Sequence, residues 1–169
     1  MKYKFSYFLL NIPKTSYIYH IYHHNHLLQI GSSYCLFNYE KKEDLFHYNT
    51  KHRRNFKNCF YDDRYVDNHH IIPKQFTNHP LLCELNIDVS CSKNIIFLPN
   101  RYAKSIFNSN TTIYHQSHPK YNRFVDKELQ RIYNINDKET KKYEFMLLFM
   151  YLNQCFENND PFIRKLFFH

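Results

Sequence analysis

Six side chains in the middle of the chain could together work on a phosphodiester: His69 and His70, then Asn94, then His115, His118 and Asn122. A phosphodiester resists water until one group takes a proton from that water and another stabilises charge on the phosphate and the leaving oxygen. A histidine base and a divalent cation meet those two needs. Adjacent residues on a strand point to opposite faces. His69 and His70 can therefore take different tasks at a strand end, one binding metal and the other reaching the water. His118 and Asn122 are four residues apart, which on a helix places them on one face, one turn from each other, at metal-ligand spacing. A helix start there also offers unpaired N–H groups and a positive dipole end to a phosphate.

These residues need two strands as one wall and a helix as the other, and the sequence supplies them in that order. Tyr65-Val66-Asp67-Asn68 predicts a short strand, stopped by His69-His70-Ile71-Ile72-Pro73, where proline ends regular pairing. A short helix is expected from about Asn78 to Leu85, with Pro80 near its first turn. Asn94 to Leu98, closed by Pro99, predicts a second buried strand. Residues 100–114 form a long connection, and Ser117-His118-Pro119 then opens the clearest helix. Its apolar residues Tyr121, Phe124, Val125, Leu129 and Ile132 follow the three-and-four spacing of one buried face. A further helix is expected from Asn136, as N-cap with Glu139 three residues on, to about Phe156. Its middle, Phe145 to Met150, is apolar all round, as a central core helix or in part an oligomer surface would be, and is assigned to the core. Asp160-Pro161 begins a short terminal helix.

The bulk properties fit such a site without proving it. At 169 residues the chain suits one domain with a genuine core. It carries 23 Lys and Arg against 15 Asp and Glu, a net charge of +8. That balance suits a polyanionic partner such as nucleic acid, and would suit an acidic membrane surface too. The basic clusters, Lys51, Arg53, Arg54 and Lys57, and Lys138, Lys141 and Lys142, are equally well explained as solvated faces. Sixteen Tyr and 16 Phe with a single Gly and no Trp read as compositional bias and core filling rather than base stacking. Five cysteines, Cys35, Cys59, Cys83, Cys91 and Cys155, are odd in number and form no C-x-x-C pair, so reduced, buried thiols are expected. The charged start followed by Phe5 to Leu10 breaks at Asn11-Ile-Pro without a cleavage site, and no run reaches the ~20 residues of a membrane span. The histidine group His20, His23, His24 and His26 has no closed-site spacing and is assigned to surface and packing. A cytoplasmic location is slightly favoured and no membrane partner is expected; the oligomeric state is left open.

Asn68-His69-His70-Ile71-Ile72-Pro73, Asn78-His79-Pro80-Leu81-Leu82, Leu85-Asn86-Ile87-Asp88-Val89, Asn94-Ile95-Ile96-Phe97-Leu98-Pro99 and His115-Gln116-Ser117-His118-Pro119-Lys120-Tyr121-Asn122 resemble the successive motifs of the AHH nucleases. That family belongs to the HNH/endonuclease VII superfamily and often occurs as a toxin module. The resemblance covers residues 65–134 and implies an α+β fold with a ββα-metal core surrounded by helices. The implied division is 1–64 as an aromatic and basic region of unknown role, 65–134 as the nuclease core and 135–169 as helices packing on it.

The implied activity is metal-dependent hydrolysis of DNA, or of RNA, with one divalent ion, Mg²⁺, Mn²⁺ or Zn²⁺. An immunity-type inhibitor or a fusion partner would accompany a toxin role. His69 resembles the strand-side ligand, His70 the general base, His118 a helix-side ligand, and Asn94 the residue holding His70 through its backbone or amide. His115 and Asn122 remain alternatives for a further ligand or a phosphate contact. Two departures stand out: Asn68 occupies the position of the family's Ala, and the His115-to-His118 spacing is one residue shorter than in many relatives. The rival reading is an HNH fold that binds nucleic acid or scaffolds an assembly without cutting. Lys120 and Arg123 are candidate phosphate contacts, and His79 is assigned to the start of its helix.

Overall fold

The computed structural model describes residue 44 and residues 46–60, 65–105 and 113–168. The His20 to His26 histidine group, the charged N-terminal start and Cys35 lie outside the described residues. In chain order the elements are α1 (Lys51–Phe60), β1 (Val66–His70), α2 (Pro80–Glu84), β2 (Ile95–Pro99), α3 (Pro119–Tyr133), α4 (Lys138–Glu157) and α5 (Pro161–Phe167). Short 3-10 helices occupy Lys74–Phe76, Ser92–Asn94 and Arg101–Ser105. The fold is α+β, a two-stranded sheet set among helices.

β1 and β2 pair antiparallel, from Val66 opposite Pro99 to His70 opposite Ile95. The first strand does not stop at Asn68 as expected. The register still offers Ile96 and Ile95 as partners to His69 and His70, and Ile71 N donates to Asn94 O at 2.8 Å. The break at Pro73 therefore acts late, and both histidines sit on regular strand.

Strand alternation then divides the chain's chemistry between two faces. Asp67 and His69 face the main core, where Ile96 and Leu98 of β2 meet Tyr121, Val125, Leu129 and Ile132 of α3, together with buried residues of α4 and α5. Val66 and Asn68 face α1, in a smaller cluster with Phe97, Phe46, Phe56 and Tyr65. The Phe56 and Phe97 rings stack there at 6.2 Å.

α1 is held to that second face by Arg53, which is fully buried. Its Nε donates to Asn68 Oδ1 (2.9 Å), and its terminal nitrogens donate to Phe46 O (3.2 Å) and Ile95 O (2.9 Å). The guanidinium also lies 4.9 Å from the Phe97 ring centroid. Burial lowers its pKa to about 10, so it stays charged at neutral pH. The first basic cluster is thus not a uniform solvated face. The second is not either: Lys141 is buried, donates to both Glu84 oxygens at 2.8 and 3.0 Å, and lies over Tyr133.

The helices follow their sequence signals with small shifts. His79 caps α2, its Nδ1 accepting from Leu81 N at 3.2 Å, so that helix is shorter than expected. α3 buries Tyr121, Val125, Leu129 and Ile132, with Phe124 half-buried. The N-cap of α4 is Asp137 rather than Asn136: its carboxylate accepts from Thr140 N at 2.7 Å and Thr140 Oγ at 2.6 Å. A carboxylate answers both the open N–H groups and the positive helix end better than an amide does.

The apolar middle of α4 splits rather than burying entirely. Phe145, Leu148 and Phe149 are core, while Leu147 and Met150 are 44% and 59% exposed. Cys91 and Cys155 are buried free thiols, but Cys83 is exposed. No helix among the described residues is long and apolar enough to cross a membrane.

Candidate active site

Three histidines from separate places in the chain meet at one end of the sheet. His69 comes from the buried face of β1, and His118 stands at the N-cap position of α3 without making a side-chain cap. His115 is fixed to the end of β2: its N–H donates to Pro99 O at 2.7 Å, and it forms a parallel bridge with Asn100. The rings of His69 and His115 lie 5.3 Å apart, those of His69 and His118 5.1 Å, and those of His115 and His118 6.4 Å. Each offers one ring nitrogen, and these nitrogens lie within 4.8 Å of one another.

The outer partners orient two of these rings. Asn122 Oδ1 can only accept, so at 2.9 Å it accepts a hydrogen bond from His118 Nδ1–H and, in the neutral ring, leaves Nε2 as the lone-pair nitrogen. Asn122 Nδ2 in turn donates to Gln75 Oε1 at 3.0 Å. Asp67 Oδ2 lies 3.2 Å from His115 Nδ1 and accepts a hydrogen bond from it. Carboxylates and carbonyls in these positions fix the tautomer and ring orientation of metal-binding histidines.

His69 is 2% exposed, and its Nε2 has no hydrogen-bond partner. Burial first, then the neighbouring His115, His118 and His70, holds its pKa well below the ordinary value. Burial also lowers that of His118, against the opposing pull of Asn122. Both rings are therefore neutral near pH 7, the form that binds metal. Phe156 (5.1 Å), Phe167 (5.4 Å) and Tyr121 (6.1 Å) wall the His69 ring from behind.

His70 lies beside this set. Its ring is 4.5 Å from that of Tyr48, and its Nε2 is also buried without a partner. Burial, then the charges of Lys74 and Arg53, lower its pKa to about 4, so it too is a neutral imidazole at pH 7. Among the described residues the only other buried side-chain nitrogen or oxygen without a partner is Arg164 Nε, on α5.

The backbone just after His70 is held on all four of its polar groups. Asn94 is fully buried; its O accepts from Ile71 N (2.8 Å), its Oδ1 from Ile72 N (2.7 Å), and its Nδ2 donates to Ile72 O (2.9 Å) and Val89 O (2.7 Å). Tyr121, fully buried, donates its hydroxyl to the remaining Ile71 carbonyl. The direction in which His70 leaves the sheet is thereby set by one amide and one phenol.

His69, His70, His115, His118 and Asn122 line a single open cleft of about 210 Å³, together with Pro73, Lys74 and Gln75. Asn94 lies behind the cleft, acting on backbone. His79 is taken up in capping α2, Lys120 Nζ reaches Phe168 O at 3.3 Å, and Arg123 is exposed. Sequence reasoning missed Asp67, Gln75 and the Tyr121 hydroxyl. Asp67 left a signal, because it precedes His69 by two residues and so shares its strand face; Gln75 left none.

A model of the AHH family, described as a nuclease family of the HNH/ENDO VII superfamily with conserved AHH, matches residues 50–147, more than half of the chain. The match begins just before α1 and ends within α4. No curated protein and no solved structure matches the chain.

Proposed function

The chain belongs to the AHH family of nucleases in the HNH/endonuclease VII superfamily, and from that premise we propose that it is a metal-dependent endonuclease acting on DNA, with RNA as the second substrate class. The observation that carries the metal is His69 Nε2, buried and partnerless among three histidines. The residues fit a divalent ion held by His69, His115 and His118, with Asn122 and Asp67 orienting two of those rings from outside. Neutral imidazoles favour zinc and other transition ions over Mg²⁺, which prefers oxygen ligands. When bound, such an ion supplies stabilisation of charge on the phosphate and the leaving oxygen.

The chain's own residues do the rest. His70, a neutral imidazole lining the cleft, takes the proton of the attacking water. Asn94 and Tyr121 are positioning residues: they hold the Ile71–Ile72 backbone so that the His70 ring keeps its place on the cleft. Phe156 and Phe167 keep water away from the rear of His69. The two histidines divide the work as adjacent strand residues can, one turned to the main core and the other to Tyr48.

Cleavage of plasmid DNA and of total RNA by wild type and His70→Ala, in EDTA and with Mg²⁺, Mn²⁺ or Zn²⁺, tests this reading. Cutting that needs metal and falls by about 10²–10⁴-fold in His70→Ala, with bound metal unchanged, is the expected result. Equal cutting by both proteins would remove His70 as base. No cutting by wild type with any ion would leave a nucleic-acid-binding protein in place of an enzyme.

A further inference from the structure

We propose that Lys74 is the phosphate-holding cation of this cleft, its ammonium placed on the His70 side to meet a non-bridging oxygen of the bound phosphodiester. The proposal rests on the nuclease reading and extends it to a residue outside the histidine and asparagine set. Of the described residues lining the cleft, Lys74 is the one that is positively charged. Arg53 is nearby but buried, each of its guanidinium nitrogens donating to the protein, at Asn68, Phe46 and Ile95. Lys120 is drawn to the Phe168 carbonyl.

The Lys74 side chain is exposed, and among the described residues no carboxylate pairs with it. Its contact is with an aromatic face: Nζ lies 5.1 Å from the Tyr48 ring centroid, and the same Tyr48 ring lies 4.5 Å from that of His70. Tyr48 thus aligns the ammonium with the base. A cation on an exposed aromatic face is weakly held, whereas a phosphate oxygen offers a charge-assisted hydrogen bond. The ammonium is positioned in advance and free to turn to the stronger partner.

The backbone that carries it is fixed as well. Lys74 opens the 3-10 turn Lys74–Phe76, closed by Phe76 N donating to Pro73 O at 3.0 Å and Thr77 N to Lys74 O at 3.1 Å, with Phe76 buried. The next residue, Gln75, holds Asn122 behind His118. Tyr48 is tied by its own N–H to Ser90 O at 3.0 Å. A phosphate seated between the metal-facing histidines and His70 would meet Lys74 on the side where no other described residue of the cleft is a cation.

The test uses Lys74→Met and Lys74→Arg. First, binding of a short DNA duplex or a single-stranded RNA, whichever wild type binds more tightly, is measured against salt in the zinc-loaded His70→Ala background, where the base is absent. Losing one phosphate contact lowers the slope of log K against log salt by about 0.7–0.9. Lys74→Met is expected to show that drop and Lys74→Arg to retain the parent slope. A purely structural lysine would alter thermal stability without moving the slope, so an unchanged slope in Lys74→Met overturns the proposal whether or not the protein cuts.

Second, in the His70-containing enzyme, Lys74→Met is expected to lower kcat by about 10²-fold with zinc stoichiometry unchanged and with substantial rescue by Lys74→Arg. Cleavage by Lys74→Met within twofold of wild type also overturns it. Failure of wild type to cut overturns the nuclease reading instead, and the salt slope alone then decides Lys74.

Discussion

Asn94 and His69 are both buried polar residues at the same end of the sheet, and the fold treats them in opposite ways. Every polar atom of the Asn94 side chain is bonded, to Ile72 and Val89, and each guanidinium nitrogen of Arg53, on the α1 side of the sheet, likewise has an acceptor. His69 and His70 are buried with Nε2 unpartnered. Leaving a buried nitrogen unpaired costs about 1–3 kcal/mol, and a scaffold with no further use for these rings would gain by replacing them. The comparison separates residues that hold the site from residues that perform in it, and substitutions can break or sharpen it.

Asn94→Ala should have the largest effect on stability. It strands Ile72 N–H, Ile72 C=O and Val89 C=O in a dry interior, at about 1–3 kcal/mol each. Against a typical total of about 5–15 kcal/mol, the variant should be largely unfolded or lose most of its urea resistance. A melting curve within about 1 kcal/mol of wild type would show that Asn94 is not the clamp its hydrogen bonds describe.

Arg53→Met comes next, with an expected loss of about 2–4 kcal/mol in chemical denaturation. It leaves Asn68 Oδ1 and two carbonyls without their donor, but it also removes a buried charge, which offsets part of the cost. Arg53→Lys should not rescue it, because an ammonium on a flexible stem cannot reproduce the fork that reaches three acceptors. A stable Lys variant would mean that charge, not the fork, holds α1 to the sheet.

Asn68→Ala is smaller and more pointed, since it installs the family's own residue. Where the family has a conserved Ala, this chain has an amide that accepts from Arg53 Nε at 2.9 Å. The single change should cost about 1–2 kcal/mol, and a double-mutant cycle with Arg53→Met should show coupling of similar size. Independent effects would make Asn68 an incidental neighbour of the arginine rather than its partner.

The two sides of this comparison were not equally legible in the sequence. Helix spacing put Asn122 one turn from His118, and the order of strand, strand and helix brought His69 and His70 towards them, although the first strand was expected to stop at Asn68. The family resemblance implied that Asn94 holds His70 through its backbone or amide; the bonds it makes, to Ile71, Ile72 and Val89, were not legible in the sequence. Arg53 left no trace, because among Lys51, Arg54 and Lys57 it looks solvated, and its burial depends on how a whole helix lies on the sheet. Asp67 shares a strand face with His69, yet its partner His115 is 48 residues away, across a connection with no periodicity to place it. Local rules carried the elements and most of the cleft, while contacts between distant segments decided which polar residues became scaffold.

His69→Phe should show the smallest change in stability, and the most instructive one. Without metal, a ring of similar size replaces one whose Nε2 already lacks a partner, among Tyr121, Phe156 and Phe167. Stability should stay within about 1.5 kcal/mol of wild type, or rise. With metal the two proteins should part. Zinc at one hundred times its Kd stabilises a protein that binds it only when folded by about 2.7 kcal/mol. Wild type should therefore gain in Tm on adding zinc, and His69→Phe should gain far less. A large loss in the metal-free melt would place His69 with Asn94 and Arg53, as scaffold. Equal gains from zinc would show that the ion binds elsewhere, and the unpaired nitrogen would then have no function to account for its cost.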